Sequence, residues 1–316
     1  MFKDLSKRQR GLSESFLQEL ENGILTPLLD RVKQDQTLCL DIRDNYINVY
    51  YRGGSLLNLR ESARHIFDAY FDTNYFITKE RDFISNFPKK IIKVEHTLYW
   101  LDNAFPVLKN EIDLWFGRNT RNEREFQQDL ARYNNAENIA TGTDYFICDI
   151  EYANTENKSK FDMIAVKWDS TASARKNNRN LKLAFIEVKN GDKALDGDSG
   201  IIKHIQDMEN FLSCPKNLEE TKDEMKIIFN QKIKLGLIMN QNYIESFASE
   251  KPEFAFIFAN HDPESSVLKR ELEKIVLSDK FDLKFAVSNF MGSGLYAQNM
   301  YDLEKFKNKF NEQIYK

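Results

Sequence analysis

Three side chains in two neighbouring apolar runs have the types and spacing for metal-assisted hydrolysis: Asp162 in KFDMIAVKW (160–168), and Glu187 and Lys189 in KLAFIEVKN (182–190). Read as strands, alternate residues share a face, so Leu183, Phe185, Glu187 and Lys189 point one way and Ala184, Ile186 and Val188 the other. Asp162 shares its face with Ile164 and Val166, and residues 169–181 are compatible with a long-looped hairpin that brings Asp162 beside Glu187. Two carboxylates and an ammonium then converge at the end of a mostly apolar sheet. Crowding carboxylates together is costly unless a proton or cation compensates, and hard oxygen ligands suit Mg²⁺. The competing reading is a solvent-facing strand end carrying a surface ion pair.

The elements that must position these residues follow from hydrophobic periodicity. A helix, RNEREFQQDLARYNN (121–135), precedes three strands at 143–153, 160–168 and 182–190. A helix at 199–212 with Ile201, Ile205, Met208 and Leu212 as its core stripe comes next, then a strand at 234–240. EFAFIFA and DLKFAVSNF are further strand candidates, with a helical SSVLKRELEKIV between them. Upstream, residues 12–34 read as an amphipathic helix or helix pair split at Pro27, and residues 37–76 as an antiparallel meander turning at Gly53-Gly54. Residues 81–115 read as helical again, interrupted at Pro88 and Pro106. The expected organisation is an α+β domain over 1–116, with no catalytic motif of its own, followed by an α/β domain over 117–316.

The element order helix, three strands, helix, strand, with Phe161-Asp162 and then Glu187-Val188-Lys189, resembles the PD-(D/E)xK phosphodiesterase superfamily over residues 120–240. Phe161 stands where the family name has proline. The resemblance implies an α/β fold with a restriction-endonuclease-like core and a nuclease acting on nucleic acid, DNA by family association. Asp162 and Glu187 would hold Mg²⁺, with Mn²⁺ as a substitute, the Val188 carbonyl would add a ligand, and Lys189 would position or deprotonate the attacking water. Such nucleases often add a carboxylate from the helix before the first strand. Here Glu123 lies about 50° from the apolar centre of that helix and Glu125 about 105°, which favours Glu123, although Thr120 and Glu123 also fit a helix-capping box. Glu151, sharing a face with Asp149 on the first strand, is a further candidate ligand; a solvated edge explains both equally simply.

On the helix after the Glu187 strand, His204 lies about 60° from Ile201 and could reach a phosphate or water, whereas Gln206, about 140° away, matches a family glutamine poorly. A flanking histidine is more often simply hydrogen-bonded. Arg175, Lys176 and Arg179 form a basic arm in the loop between the two catalytic strands, and Lys193 and Lys203 are further candidate phosphate contacts, with surface solvation as the plain alternative. Lys89 to Lys93 and Arg118, Arg121, Arg124 and Arg132 add positive charge among interspersed acids.

Composition bounds the rest. The 316 residues carry 41% hydrophobic and 30% charged residues with 12 Gly and 6 Pro, which excludes collagen-like and mostly disordered chains. The net charge of −4 gives no global basic field, so any polyanion contact must be local. Three cysteines (Cys39, Cys148, Cys214) with no CxxC pair argue against a disulfide framework or thiolate zinc site. The short apolar runs and the start MFKDLSKRQR lead us to expect a soluble, cytoplasmic protein without a signal peptide. There is no GxSxG, phosphate loop, GxGxxG or HExxH, and His65, His96, His204 and His261 are not paired at metal-ligand spacing. The N-terminal region is expected to select the target, form a homodimer or couple to a partner, in defence or in DNA processing. The alternative reading is a nuclease fold that no longer cuts and binds nucleic acid or a protein instead.

Overall fold

The computed structural model describes residues 10–76, 86–119, 122–135, 142–154, 156–239, 241–259, 265–288 and 300–314. The protein is mixed α/β, and its described strands form two five-stranded sheets. It divides into two compact units, Met1–Gln128 with Ile227–Ile238, and Asp129–Lys226 with Met239–Lys316. Residues 117–128 and 227–238, placed with the second domain by sequence, therefore group with the first.

In the first unit, α1 (Glu14–Asn22) starts at Ser13, whose side chain accepts the Phe16 N–H at 3.1 Å. Pro27 sits in the first turn of α2 (Thr26–Gln34), where its missing N–H costs nothing, so it separates two helices as expected. The strands β1 (Leu38–Ile42), β2 (Tyr46–Tyr51), β3 (Gly54–Ala63) and β4 (Ile66–Tyr70) form the meander. Residues 86–93 depart from the expected helix. Pro88 disfavours helical backbone before it, and β5 (Lys90–Ile91) pairs with β4 instead, Ile91 opposite Phe67. Helix begins only at α3 (Val94–Tyr99), widens to a π-turn over Trp100–Ala104 and continues as α4 (Phe105–Arg118). Pro106 lies just past that π-turn, which accommodates the hydrogen bond proline cannot make.

Two long-range ties hold later segments in this unit. The buried Lys232 ammonium pairs with the buried carboxylate of Asp41 in β1, and the Gln231 amide exchanges two 2.9 Å hydrogen bonds with the Leu12 backbone. At the β2–β3 turn the Gly53 N–H donates to Gln128 Oε1. Gly53 has φ of +76°, and a Cβ there would lie 2.5 Å from the Arg124 carbonyl carbon. Gly53→Ala is therefore expected to cost about 2–4 kcal/mol through backbone strain and overpacking, read as a lower urea midpoint at unchanged slope.

In the second unit the sheet order is β10-β9-β8-β7-β6. The strands β6 (Tyr145–Ala153), β7 (Lys160–Lys167) and β8 (Lys182–Asn190) run antiparallel in succession, and β9 (Glu253–Ala259) and β10 (Asp282–Ser288) continue parallel to β8. The connection from β8 to β9 contains α6 (Ile201–Leu212) and α7 (Pro215–Lys234); α5 (Asn122–Asn135) precedes β6, α8 (Ser266–Glu273) joins β9 to β10, and α9 (Leu303–Ile314) follows.

The fourth strand is thus EFAFIFA and not the run 234–240. All seven residues of β9 are buried, as a strand with parallel neighbours on both sides requires. The run LGLIM closes α7 instead: Gly236 adopts φ +69°, Leu237 N–H reaches the Lys232 carbonyl at 2.8 Å and Gly236 N–H the Ile233 carbonyl at 2.9 Å. This is a Schellman cap, and its apolar residues Leu235 and Ile238 are buried by it.

Candidate active site

The β7–β8 ladder runs in register from Lys167↔Lys182 to Met163↔Ile186 and then stops. Had it continued, Phe161 would oppose Val188. Instead the Val188 N–H donates to Asp162 Oδ2 at 2.8 Å, so a side-chain carboxylate replaces the next backbone acceptor. The Phe161 ring turns into an aromatic cluster, with centroids 4.6 Å from Phe185 and 5.2 Å from Phe211. Phe161 is therefore an apolar anchor where β7 leaves the ladder.

That hydrogen bond fixes the Asp162 carboxylate at the peptide joining Glu187 to Val188. Glu187 and Lys189 are 1% and 4% exposed, and Lys189 Nζ lies 3.5 Å from Glu187 Oε2. His204, projecting from α6, places Nδ1 3.0 Å from the same oxygen. The sequence therefore brings Asp162, Glu187, Val188, Lys189 and His204 together. Glu187 and Lys189 are enclosed, while Asp162 is half-buried and His204 remains 24% exposed, so solvent reaches the cluster from their side.

The donor set fits a hard divalent cation. In a strand the N–H and C=O of one residue face the same neighbour, so the Val188 carbonyl faces the same gap as its N–H, which meets Asp162. Two carboxylates and a carbonyl are the oxygen ligands Mg²⁺ prefers. Among the described residues no group of three or more His, Cys, Asp or Glu side chains is gathered to hold a metal.

The other candidates are distributed as follows. Glu151 stands between the pairs Ile150↔Met163 and Tyr152↔Phe161, across from Asp162, with a left-handed φ of +51°. Its neighbour Asp149 is fully buried opposite Ile164, following a bulge at Cys148, so it is no solvated edge residue. Glu123 and Glu125 lie in the part of α5 that belongs to the first unit. There Glu125 is spent on Arg52, which reaches its two oxygens at 2.8 and 3.3 Å. Thr120, Arg121 and His261 lie outside the described residues. Gln206 is exposed.

The candidate phosphate contacts differ in how they are held. Arg175 is folded back: Nη2 donates to the Thr143 carbonyl, Nε to the Asp169 carbonyl at 2.9 Å, and the guanidinium stacks 4.5 Å from the Phe146 ring centroid. Burial pulls its pKa down to about 10. Arg179 pairs with Glu245 at 2.5 Å and Lys203 with Asp207, whereas Lys176 and Lys193 are exposed. Arg175→Ala is accordingly expected to lower stability by about 1–3 kcal/mol through lost packing and an unpaired carbonyl. Its nucleic-acid affinity, followed by fluorescence anisotropy, should remain that of the parent.

Among the described residues no helix is long and apolar enough to cross a membrane. Comparison of the chain with family models, with curated proteins and with solved structures finds no match.

Proposed function

We propose that the second unit is a Mg²⁺-dependent nuclease with a restriction-endonuclease-like core that hydrolyses phosphodiester bonds of nucleic acid, with DNA as the expected substrate. The observation that carries this reading is the 2.8 Å hydrogen bond from Val188 N–H to Asp162, which holds that carboxylate at the peptide following Glu187, with Lys189 Nζ 3.5 Å from Glu187 Oε2. The antiparallel β6–β7–β8 and the parallel β9, with helices on either side in the chain, support the same reading.

In the reaction a water oxygen would bond to phosphorus as that water gives up a proton, the ester P–O bond would break, and the departing oxygen would take up a proton. Asp162, Glu187 and the Val188 carbonyl would hold Mg²⁺, which supplies Lewis-acid stabilisation of the charge gathering on phosphate. Lys189 sets a positive charge 3.5 Å from Glu187 Oε2, where its N–H groups can orient the water and offset the pentavalent phosphate's charge. The low exposure of Glu187 and Lys189 keeps that charge poorly screened by solvent. Substrate would approach from the side of Asp162 and His204, the less buried members of the cluster.

A second reading is favoured by one observation: Lys189 and His204 already lie 3.5 and 3.0 Å from Glu187 Oε2, as a purely structural buried cluster would need. Incubating the purified protein with single-stranded and duplex DNA and RNA, in Mg²⁺, Mn²⁺ or chelator, separates the two. The nuclease reading predicts products in either metal and none with chelator. Absence of products, or products indifferent to chelator, contradicts it, and the former with retained nucleic-acid binding favours a binding module.

A further inference from the structure

The Asp162 cluster lies at one end of the second sheet, and the loops at that end decide which cations a substrate meets. β7 enters at Lys160 and leaves at Lys167, and the pair Lys167↔Lys182 stands at the end away from Asp162, about 17 Å along the strand. The basic loop, residues 168–181, therefore joins β7 to β8 at that far end, whereas the β6–β7 loop, residues 154–159, opens at the end where Asp162 lies. This loop carries Lys158, and Lys160 opens β7 two residues before Asp162, on the same face. Both lysines are exposed, and among the described residues neither has an ion pair. Lys167 and Lys182, by contrast, are spent on Glu253 and Asp282, and Lys203 on Asp207. The loop is held by its own polar groups. Asn154 N–H donates to the Ser159 carbonyl at 2.9 Å, Asn154 Oδ1 accepts the Glu156 N–H at 2.9 Å, and Asn157 Oδ1 accepts the Ser159 N–H at 3.0 Å and its hydroxyl at 2.6 Å. Lys158 has φ of +59°, a conformation that favours glycine, so the turn itself gives no reason for a lysine there. Over residues 154–160 the two lysines face one acid, Glu156, whereas the β8–α6 connection sets Lys193 among Asp192, Asp196 and Asp198 and carries no excess of positive charge.

We propose that the β6–β7 hairpin grips the nucleic-acid backbone at this site, with Lys158 and Lys160 contacting phosphates on the Asp162 side. This rests on the nuclease reading of the cluster. The carboxylates Asp162 and Glu187 repel a polyanion, and the Lys189 ammonium that offsets them is 4% exposed, enclosed away from the rest of the strand. Two exposed ammoniums fixed beside Asp162 supply the missing attraction for the flanking phosphates. Such contacts set the position of the backbone without reading its bases.

Fluorescence anisotropy of the full chain with a labelled DNA duplex, its single strand and the matching RNA strand, in chelator over a series of salt concentrations, tests this. The proteins compared are the parent, Lys158→Gln with Lys160→Gln, and Lys158→Arg with Lys160→Arg. Each phosphate contact adds about 0.9 to the slope of log K against log salt on a duplex and about 0.7 on a single strand. The proposal predicts weaker binding by the glutamine pair, with a slope smaller by about 1.8 on the duplex or about 1.4 on a single strand, and the parent's slope in the arginine pair. A glutamine pair that binds with the parent's affinity and slope overturns it. So does weaker binding at unchanged slope, which marks a contact other than phosphate. Cleavage in Mg²⁺ is followed alongside: if the parent cuts, Glu187→Gln does not, and the glutamine pair binds as the parent does, the nuclease reading stands and only the role of the hairpin falls. A parent chain that neither binds nor cuts any of the three overturns both.

Discussion

Glu187→Gln is expected to reduce Mg²⁺-dependent cleavage about a thousandfold or more in a chain that still folds, at some cost in stability because the amide no longer neutralises the buried Lys189 ammonium. The amide keeps the size and shape of the side chain, whose Oε2 lies 3.0 Å from His204 Nδ1. What it loses is the negative charge that makes Glu187 a cation ligand. Metal-assisted stabilisation of a phosphoryl transition state is worth several kcal/mol, and each 1.36 kcal/mol is a factor of ten in rate, so about 4 kcal/mol gives the stated loss. Initial rates at saturating Mg²⁺, with far-ultraviolet circular dichroism as the control on folding, check it. Asp162→Asn should lose activity similarly while retaining the Val188 N–H bond, since an amide oxygen can still accept.

Glu187→Ala carries a second large effect, on stability. Lys189 is 4% exposed, and its ion pair among the described residues is with Glu187. Removing that carboxylate strands a buried ammonium, which typically costs about 3–5 kcal/mol. Replacing both charges with similar-sized apolar residues, Glu187→Met with Lys189→Met, removes the stranded charge and should recover most of the loss. Guanidinium unfolding of the single and double variants reads the coupling directly. Equal destabilisation in both would mean that packing, and not charge, dominates at this site.

The parts of the second unit that were legible in sequence are those written in local pattern. The run 182–190 is β8 residue for residue, because its apolar stretch is bounded by polar turns and its alternation sets Glu187 and Lys189 on one face. Asp162 meets the Val188 N–H just beyond the antiparallel register of β7 and β8, a hairpin that spacing alone suggests. The run at 234–240 misled for a physical reason: five apolar residues look alike whether they enter a sheet or pack beneath a helix cap, and Gly236 was the signal for the latter. The same holds at residues 86–93, where Pro88 outweighs the helical spacing of the apolar residues.

Long-range packing was not legible. Arg175 sits among small polar residues in the chain, yet Phe146, 29 positions earlier by their numbers, supplies the ring it stacks on. Asp149 looks like an alternating strand residue until the bulge at Cys148 shifts its register. His204 is the informative case. Its angle from the core stripe of α6 placed it on the flank, and only the packing of that helix decides that the flank faces Glu187. The grouping of residues 227–238 with the first unit likewise goes with Lys232 meeting Asp41, 191 positions away in the chain.

Anomalous scattering from Mn²⁺-soaked crystals tests the central claim most directly. The account predicts a peak within coordination distance of Asp162, Glu187 and the Val188 carbonyl, lost in crystals of Glu187→Gln. A peak elsewhere, or an undisturbed Glu187–Lys189–His204 cluster with no peak beside it at saturating Mn²⁺, would contradict a metal-dependent active site in this protein.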